Sequence, residues 1–455
     1  MTSAPHVTRA ALEETPQSAL AHVGVLRSSL FVRIRAAVTK HWDVLTTVST
    51  SFGVFAIFAV QGVFMARLLG PEKRAEYGTA VLYTQTFTYI GLFGTLLSIA
   101  GQAARNREGL QNLRRSAIRL GSFTGVATAL FVIVLSLTAL PAAKSFLAPL
   151  CIICALMLPL DHIRLTLLSV DHGAGAFSKY NRNLLVNAAV LPVLLGVLWI
   201  TGIKSIGTVV AATLLIPVIA LAYRFASEGF GIIGKKVDPP VASLLVEGLP
   251  YAAAQTSNDL FGRLDAVLIL WLSSLTQQGY YTAAVSTAAL LVVAPNALAL
   301  FSFRSSAANG QPPTLTRTVA VGIGVLAIQL ITLGAFLAFL EPLIILVFGA
   351  SFRGAVPYAR LLLPAYAIGG LTYVAGGYLR GQRKPLMEVW SRVIGTVVMV
   401  AVALALRASW HDLGVPLAAV CGHATCAVIL CWAVLADIHR RRRMLLCVPA
   451  VERIP

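Results

Sequence analysis

The residues Gln255-Thr256-Ser257-Asn258-Asp259-Leu260-Phe261-Gly262-Arg263-Leu264-Asp265 put three charges within seven positions of an otherwise apolar stretch. On insertion scales a charge held midway through a membrane helix costs about 2.5–3.5 kcal/mol, so these three must face something other than lipid. At roughly 100° per residue, Gln255, Thr256, Asn258, Asp259, Gly262, Arg263 and Asp265 share one half of a helix, and Leu260, Phe261 and Leu264 the other. Such a helix should turn its polar half to a water-filled interior. Asp259 and Arg263 are four residues apart, with the acid on the favoured N-terminal side. One reading is a neutralised pair that fastens two helices. The other leaves Arg263 available to an anionic headgroup, because its planar fork offers phosphate two parallel hydrogen bonds and stays charged when dehydrated. Asp259 or Asp265 then responds to a proton or cation.

Further candidates are more peripheral. Glu388 and Arg392 repeat the spacing near the cytoplasmic start of a later apolar run, where an arginine snorkelling to the surface gives the same pattern. Arg67 stands at the outer end of the first run, as a cavity residue or an interfacial anchor. Gln85 and Asn258 are polar positions suited to substrate, with Gln61, Tyr89, Asn187 and Asn296 in support, although single polar residues in membrane helices more often fasten helix to helix. The loop Gly229-Phe230-Gly231-Ile232-Ile233-Gly234-Lys235-Lys236 imitates a phosphate-binding loop, but no strand precedes it and Lys236 replaces the magnesium-binding Ser or Thr. Cys151 and Cys154 lie in an apolar run without partners, and the histidines are dispersed, so no metal or other cofactor is expected.

The elements that must position these groups are membrane helices. Of 455 residues, 57% are hydrophobic and 12% charged, where a soluble domain carries about 25% charge. Mean hydropathy is +0.80. Apolar runs fall near 44–66, 77–100, 118–140, 146–170, 184–203 and 206–223, then near 244–272, 280–303, 319–340, 355–378, 387–406 and 413–437. The expected organisation is a cytoplasmic N-terminal tail over 1–41, holding an interfacial helix, a first six-helix lobe over 42–224 and a cytoplasmic linker over 225–243. A second six-helix lobe over 244–437 and a basic cytoplasmic tail over 438–455 follow. With both termini inside, 26 lysines and arginines fall in cytoplasmic segments and 8 outside, the bias expected of a bacterial inner-membrane protein. That bias also accounts for the net charge of +18, and nucleic acid is not an expected partner.

The halves look related. Each follows its first run with a short outer turn and a Tyr-x-Thr-Ala tetrad, at Tyr77-Gly78-Thr79-Ala80 and Tyr280-Tyr281-Thr282-Ala283. Six crossings per lobe make the repeats parallel, with the pseudo-axis along the membrane normal. The run Ala66-Arg67-Leu68-Leu69-Gly70-Pro71-Glu72, then Tyr77-Gly78, resembles the end of the first helix in bacterial polysaccharide exporters. Glu247-Gly248-Leu249-Pro250, Arg263-Leu264-Asp265, Gly279-Tyr280-Tyr281 and Phe348-Gly349 extend the likeness over most of the chain in the family's order. These exporters are the lipid-linked oligosaccharide flippases of the multidrug/oligosaccharidyl-lipid/polysaccharide (MOP) superfamily.

The resemblance implies an all-α polytopic protein of twelve transmembrane helices in two pseudo-symmetric six-helix bundles around a central cavity. It implies a transporter, not an enzyme, that flips a polyprenyl-diphosphate-linked oligosaccharide by alternating access for exopolysaccharide or surface polysaccharide assembly. Membrane lipid, a polysaccharide polymerase and export machinery are the partners it suggests. Arg263, Arg67, Arg392, Asn258 and Gln85 would meet substrate, and Asp259, Asp265 and Glu388 would couple ions. A cation-coupled multidrug antiporter of the same superfamily is the alternative. It usually keeps a carboxylate deep in the first lobe, where this chain offers only Asp161, near a cytoplasmic end. A membrane-embedded glycan polymerase or ligase is a third reading, which the short outer loops oppose.

Overall fold

The computed structural model describes residues 42–228, 239–308, 315–382 and 384–447. The expected interfacial helix within the tail 1–41, the loop 229–236 and the last eight residues of the sequence lie outside the described residues. The chain forms two compact units, Met1–Ser49 and Thr50–Pro455, and the account below concerns the second.

The described residues are helical, and none is in a strand. In chain order the helices are α1 (Trp42–Ile90), α2 (Thr95–Arg105), α3 (Leu110–Thr138), α4 (Ala148–Ala155), α5 (Leu158–Gly173), α6 (Phe177–Ile200) and α7 (Ile206–Glu228). The C-terminal half continues with α8 (Val241–Phe261), α9 (Leu264–Leu272), α10 (Leu275–Ala288), α11 (Val293–Ala308) and α12 (Leu315–Ala338). It ends with α13 (Leu340–Phe348), α14 (Val356–Gly381), α15 (Leu386–Trp410) and α16 (Gly414–Cys447). Seven helical stretches are long and apolar enough to cross a membrane, and the pair Ala142–Ala155 with Leu158–Gly173, bent by 43°, makes an eighth.

Helices run beyond the apolar windows at their polar ends. Hydropathy starts the third run near 118, yet α3 begins at Leu110. α16 carries Arg440 to Arg443 on to Cys447, so the basic segment expected as a tail from 438 is helical over its first part. Backbone hydrogen bonding continues wherever nothing stops it, whereas hydropathy measures only lipid preference. Breaks follow glycine and proline. In α1 the chain leaves helical geometry at Gly70 (φ 70), just before Pro71. Between α1 and α2, Phe93 (φ 48) and Gly94 (φ 71) adopt left-handed backbone. The expected seventh helix is two helices, interrupted at Gly262 and at Arg263 (φ −123, ψ −2).

Apolar side chains fill the interior of each half. Met65, Leu69, Tyr77, Leu191 and Leu195 form one N-terminal cluster, and Phe261, Tyr281, Leu340, Ile344, Phe352 and Leu362 belong to the largest C-terminal one. Cys151, Cys154 and Cys426 are free and buried, as small apolar residues would be. Phe123, Leu130, Val193, Val397, Trp390 and Trp432 point outward. So large an apolar exterior suits hydrocarbon and not water.

Candidate functional site

A cavity of about 320 Å³ opens where α8 breaks, lined by Asn258, Asp259, Phe261, Gly262, Arg263, Tyr373, Arg392 and His423. The helix stops because Gly262 and Arg263 leave regular helical turns, and this brings Arg263 to the rim. There its Nη1 donates to Gln85 Oε1 in α1, 3.1 Å away. Gln85 is exposed and joins the N-terminal half to the cavity.

Arg392 comes from α15 and is 4% exposed. One Nη2 hydrogen bond reaches Thr372 Oγ1 at 3.3 Å, and the guanidinium lies over the Phe261 ring, 4.9 Å from its centroid. Its Nε has no hydrogen-bond partner among the described residues, and neither does Nδ1 of His423. His423 is held edge-on to Phe261 at 4.9 Å and tilted against Tyr366 at 5.8 Å. Among the described residues no carboxylate lies within salt-bridge distance of the Arg392 guanidinium, Glu388 being paired with Arg380. The one carboxylate lining the cavity, Asp259, accepts a 2.7 Å hydrogen bond from Gln255 Nε2. Two guanidinium groups therefore face one acid.

The structure thus gathers Asn258, Asp259, Arg263 and Arg392 into one cavity and sets Gln85 beside it. It places the others elsewhere. Asp259 and Arg263 form no ion pair, because the break at Gly262 removes the regular four-residue spacing on which that expectation rested. Asp265 does not share the cavity face. The restarted helix α9 turns it into the C-terminal core, 7% exposed, where it accepts from Tyr281 Oη at 2.7 Å and from the Ala266 amide at 2.8 Å. Glu388 is not paired with Arg392 but lies 3.6 Å from Arg380 Nε. Arg67 is not a cavity residue either. Its Nε donates to Val347 O at 3.2 Å and its Nη2 to Leu346 O, at the end of α13.

Sequence reasoning missed several groups. His423, Tyr373 and Phe261 line the cavity. His423 is a polar ring inside an apolar run, a signal that dispersed spacing concealed. Asp171 was also overlooked: its side chain is fully buried near the end of α5, beside Arg224 Nη2 at 2.7 Å, Arg114 Nη2 at 3.5 Å and Lys179 Nζ at 3.9 Å. Asp161, the acid noticed there, pairs with Arg164 at 2.6 Å.

Long apolar helices and a broken one at a polar cavity characterise the fold. An inward-facing multidrug-resistance MATE family transporter of the MOP superfamily superposes with a TM-score of 0.68 at 15% identity, covering 86% of this chain and 95% of that one. An outward-facing multidrug-resistance MATE transporter gives 0.57 at 16%, covering 88% and 95%. A MOP superfamily transporter from Pyrococcus furiosus, described as having a binding pocket of reversed polarity that suggests a different function, gives 0.55 at 15%, covering 87% and 94%. At such identities the likeness establishes the fold. The chain itself belongs to the polysaccharide biosynthesis protein family, whose model matches residues 40–303. No curated protein gives a sequence match.

Proposed function

We propose that this protein is a flippase that carries a polyprenyl-diphosphate-linked oligosaccharide across the bacterial inner membrane by alternating access of two six-helix lobes. The cavity carries this reading: among the described residues Arg392 is buried with an unpartnered Nε, Arg263 stands at the rim, and Asp259 is the only acid in the lining. An excess of guanidinium over carboxylate in a low-dielectric cavity attracts an anion, and the forked geometry suits phosphate. Asn258, Tyr373 and Gln85 offer hydrogen bonds to sugar hydroxyls.

Helix lengths support a count of twelve crossings. The stretches Ser49–Ile90 and Leu386–Arg441 have 42 and 56 residues, each long enough to cross about 30 Å of hydrocarbon twice. Counting both twice, with the bent pair, α8–α9 and α14, brings the total to twelve. Cytoplasmic termini follow from the distribution of basic residues.

A multidrug antiporter is the competing reading, favoured by the shared fold and by Asp259 facing the cavity. The two readings differ in the sign of the cargo. Arg263→Ala and Arg392→Ala should each lower surface polysaccharide at least tenfold at unchanged protein level. In reconstituted vesicles the wild-type protein should move a labelled polyprenyl-diphosphate glycan and not a cationic dye. Normal export by both variants, or dye transport alone, overturns the proposal.

A further inference from the structure

Near Pro71 and Gly279 the two halves meet through cations that have no acid partner among the described residues. Lys144 lies in a short 3-10 turn, Ala142–Leu147, directly after Pro141. It is 3% exposed, and its Nζ reaches into the other half, 2.6 Å from Leu270 O and 3.0 Å from Gln278 Oε1. Gln278 is 2% exposed and donates back through Nε2 to Thr79 Oγ1 at 2.8 Å. Leu270 belongs to the last turn of α9, where helix carbonyls lack intrahelical donors and the helix dipole is negative. The Ser274 amide, which would continue the ladder to Leu270 O, is taken instead by Gln277 Oε1 at 2.9 Å. Lys144 therefore supplies the missing donor from across the interface.

Arg67 repeats the device at the end of α13, on Leu346 O and Val347 O. Arg74, 6% exposed, donates to Ser286 Oγ at 3.1 Å and lies over the rings of Phe348 and Phe352, at 5.1 and 5.6 Å. All three cations come from the N-terminal half, and all their partners across the interface are uncharged.

From this arrangement we infer that Lys144 is the latch that holds the two lobes together at this end during the transport cycle. The inference rests on the alternating-access reading above. Chemistry distinguishes a latch from permanent glue. A buried cation is costly, but an apolar residue of similar length would leave Leu270 O and Gln278 Oε1 without the donor they have in the closed state. When the lobes part, water solvates the ammonium and the freed carbonyl alike, and no charge is left buried without a partner. An ion pair with a buried carboxylate would resist opening more strongly. Gln278 keeps the contact specific, since its amide binds Lys144 through oxygen and Thr79 through nitrogen at once.

The test is an electron-spin distance measurement on the full chain, with the native cysteines replaced and spin labels at the exposed positions Ser145→Cys and Thr276→Cys. The wild-type background should give mainly one short distance. Lys144→Met and Gln278→Leu should each raise the long-distance fraction about tenfold, and Lys144→Arg should restore the short one. Circular dichroism and thermal melting confirm that each variant is folded. Distances in Lys144→Met that overlay the wild type overturn the latch, whatever Gln278→Leu does. Normal export by the cavity arginine variants overturns the flippase instead and leaves these distances unaffected, so the two failures are separable.

Discussion

Apart from the Arg263–Gln85 bond at the cavity, two groups of contacts join the halves among the described residues, and they are of different kinds. At the Lys144 place the connections are buried cations on neutral acceptors, and the backbones are in contact: a Cβ on Gly279 would lie 2.0 Å from Pro71 O. At the other, Ser98 Oγ donates to Leu244 O at 2.9 Å, Gln102 Nε2 to Glu247 Oε1 at 2.7 Å and Arg105 Nη2 to Glu247 Oε2 at 3.2 Å. Here too the backbones meet, with a Cβ on Gly94 only 2.4 Å from Gly248 O. Yet the side chains of Arg105 and Glu247 are 66% and 39% exposed. Exposed pairs contribute about 0.2–1 kcal/mol and weaken with salt, whereas hydrogen bonds from charged donors contribute about 1.5–3 kcal/mol. The Lys144 contact should therefore be the firmer closure and the Glu247 contact the one that opens first. In the alternating-access reading proposed above, the end held by the weaker contacts is the one that opens first.

The comparison breaks most severely at Gly279. Valine there must displace the Pro71 backbone, and overpacking of this sort costs about 1–3 kcal/mol. Gly279→Val should populate the state open at this end by about tenfold or more, read as long distances between labels at 145 and 276, and should abolish export. A short-distance population equal to wild type would show that the glycine contact is not required for closure. Arg67→Ala is the milder version. It removes two hydrogen bonds from an exposed guanidinium, worth about 1 kcal/mol together, so the same open fraction should rise about fivefold.

Much of this was legible in the sequence, but unevenly. Composition and the charge bias gave a helical membrane protein, and three charges in seven residues marked the cavity before any coordinates, because placing charge in an apolar helix has so few physical excuses. Arg263, Asp259 and Asn258 were found that way. Asp265 faces the core and Asp259 makes no ion pair with Arg263 for one reason: helical periodicity does not carry through Gly262, where one helix stops and the next begins at Leu264. Arg392 was found by its type and misjudged by its position, since hydropathy gives depth along a helix and not the facing neighbour. Lys144 and Arg67 are two of the 8 basic residues that the charge bias places on the outer side. Nothing in their local sequence reports that the carbonyl ends of α9 and α13 await them from more than a hundred residues away.

The subtlest test bears on the weaker contact. Glu247→Gln keeps the shape and the hydrogen bond from Gln102 but removes the charge that faces Arg105. With labels at the exposed positions Glu108→Cys and Ala242→Cys, the open fraction at this end should rise by less than about fivefold, in line with an exposed pair. Salt supplies the sharper criterion. Screening shortens from about 8 Å at physiological ionic strength to about 3 Å at 1 M. Raising salt should therefore open the wild-type protein here until it matches Glu247→Gln, leave the variant unchanged, and scarcely move the distances at 145 and 276. Equal salt responses at both places would mean that charge pairing does not distinguish them, and the order of opening would have to come from backbone packing alone.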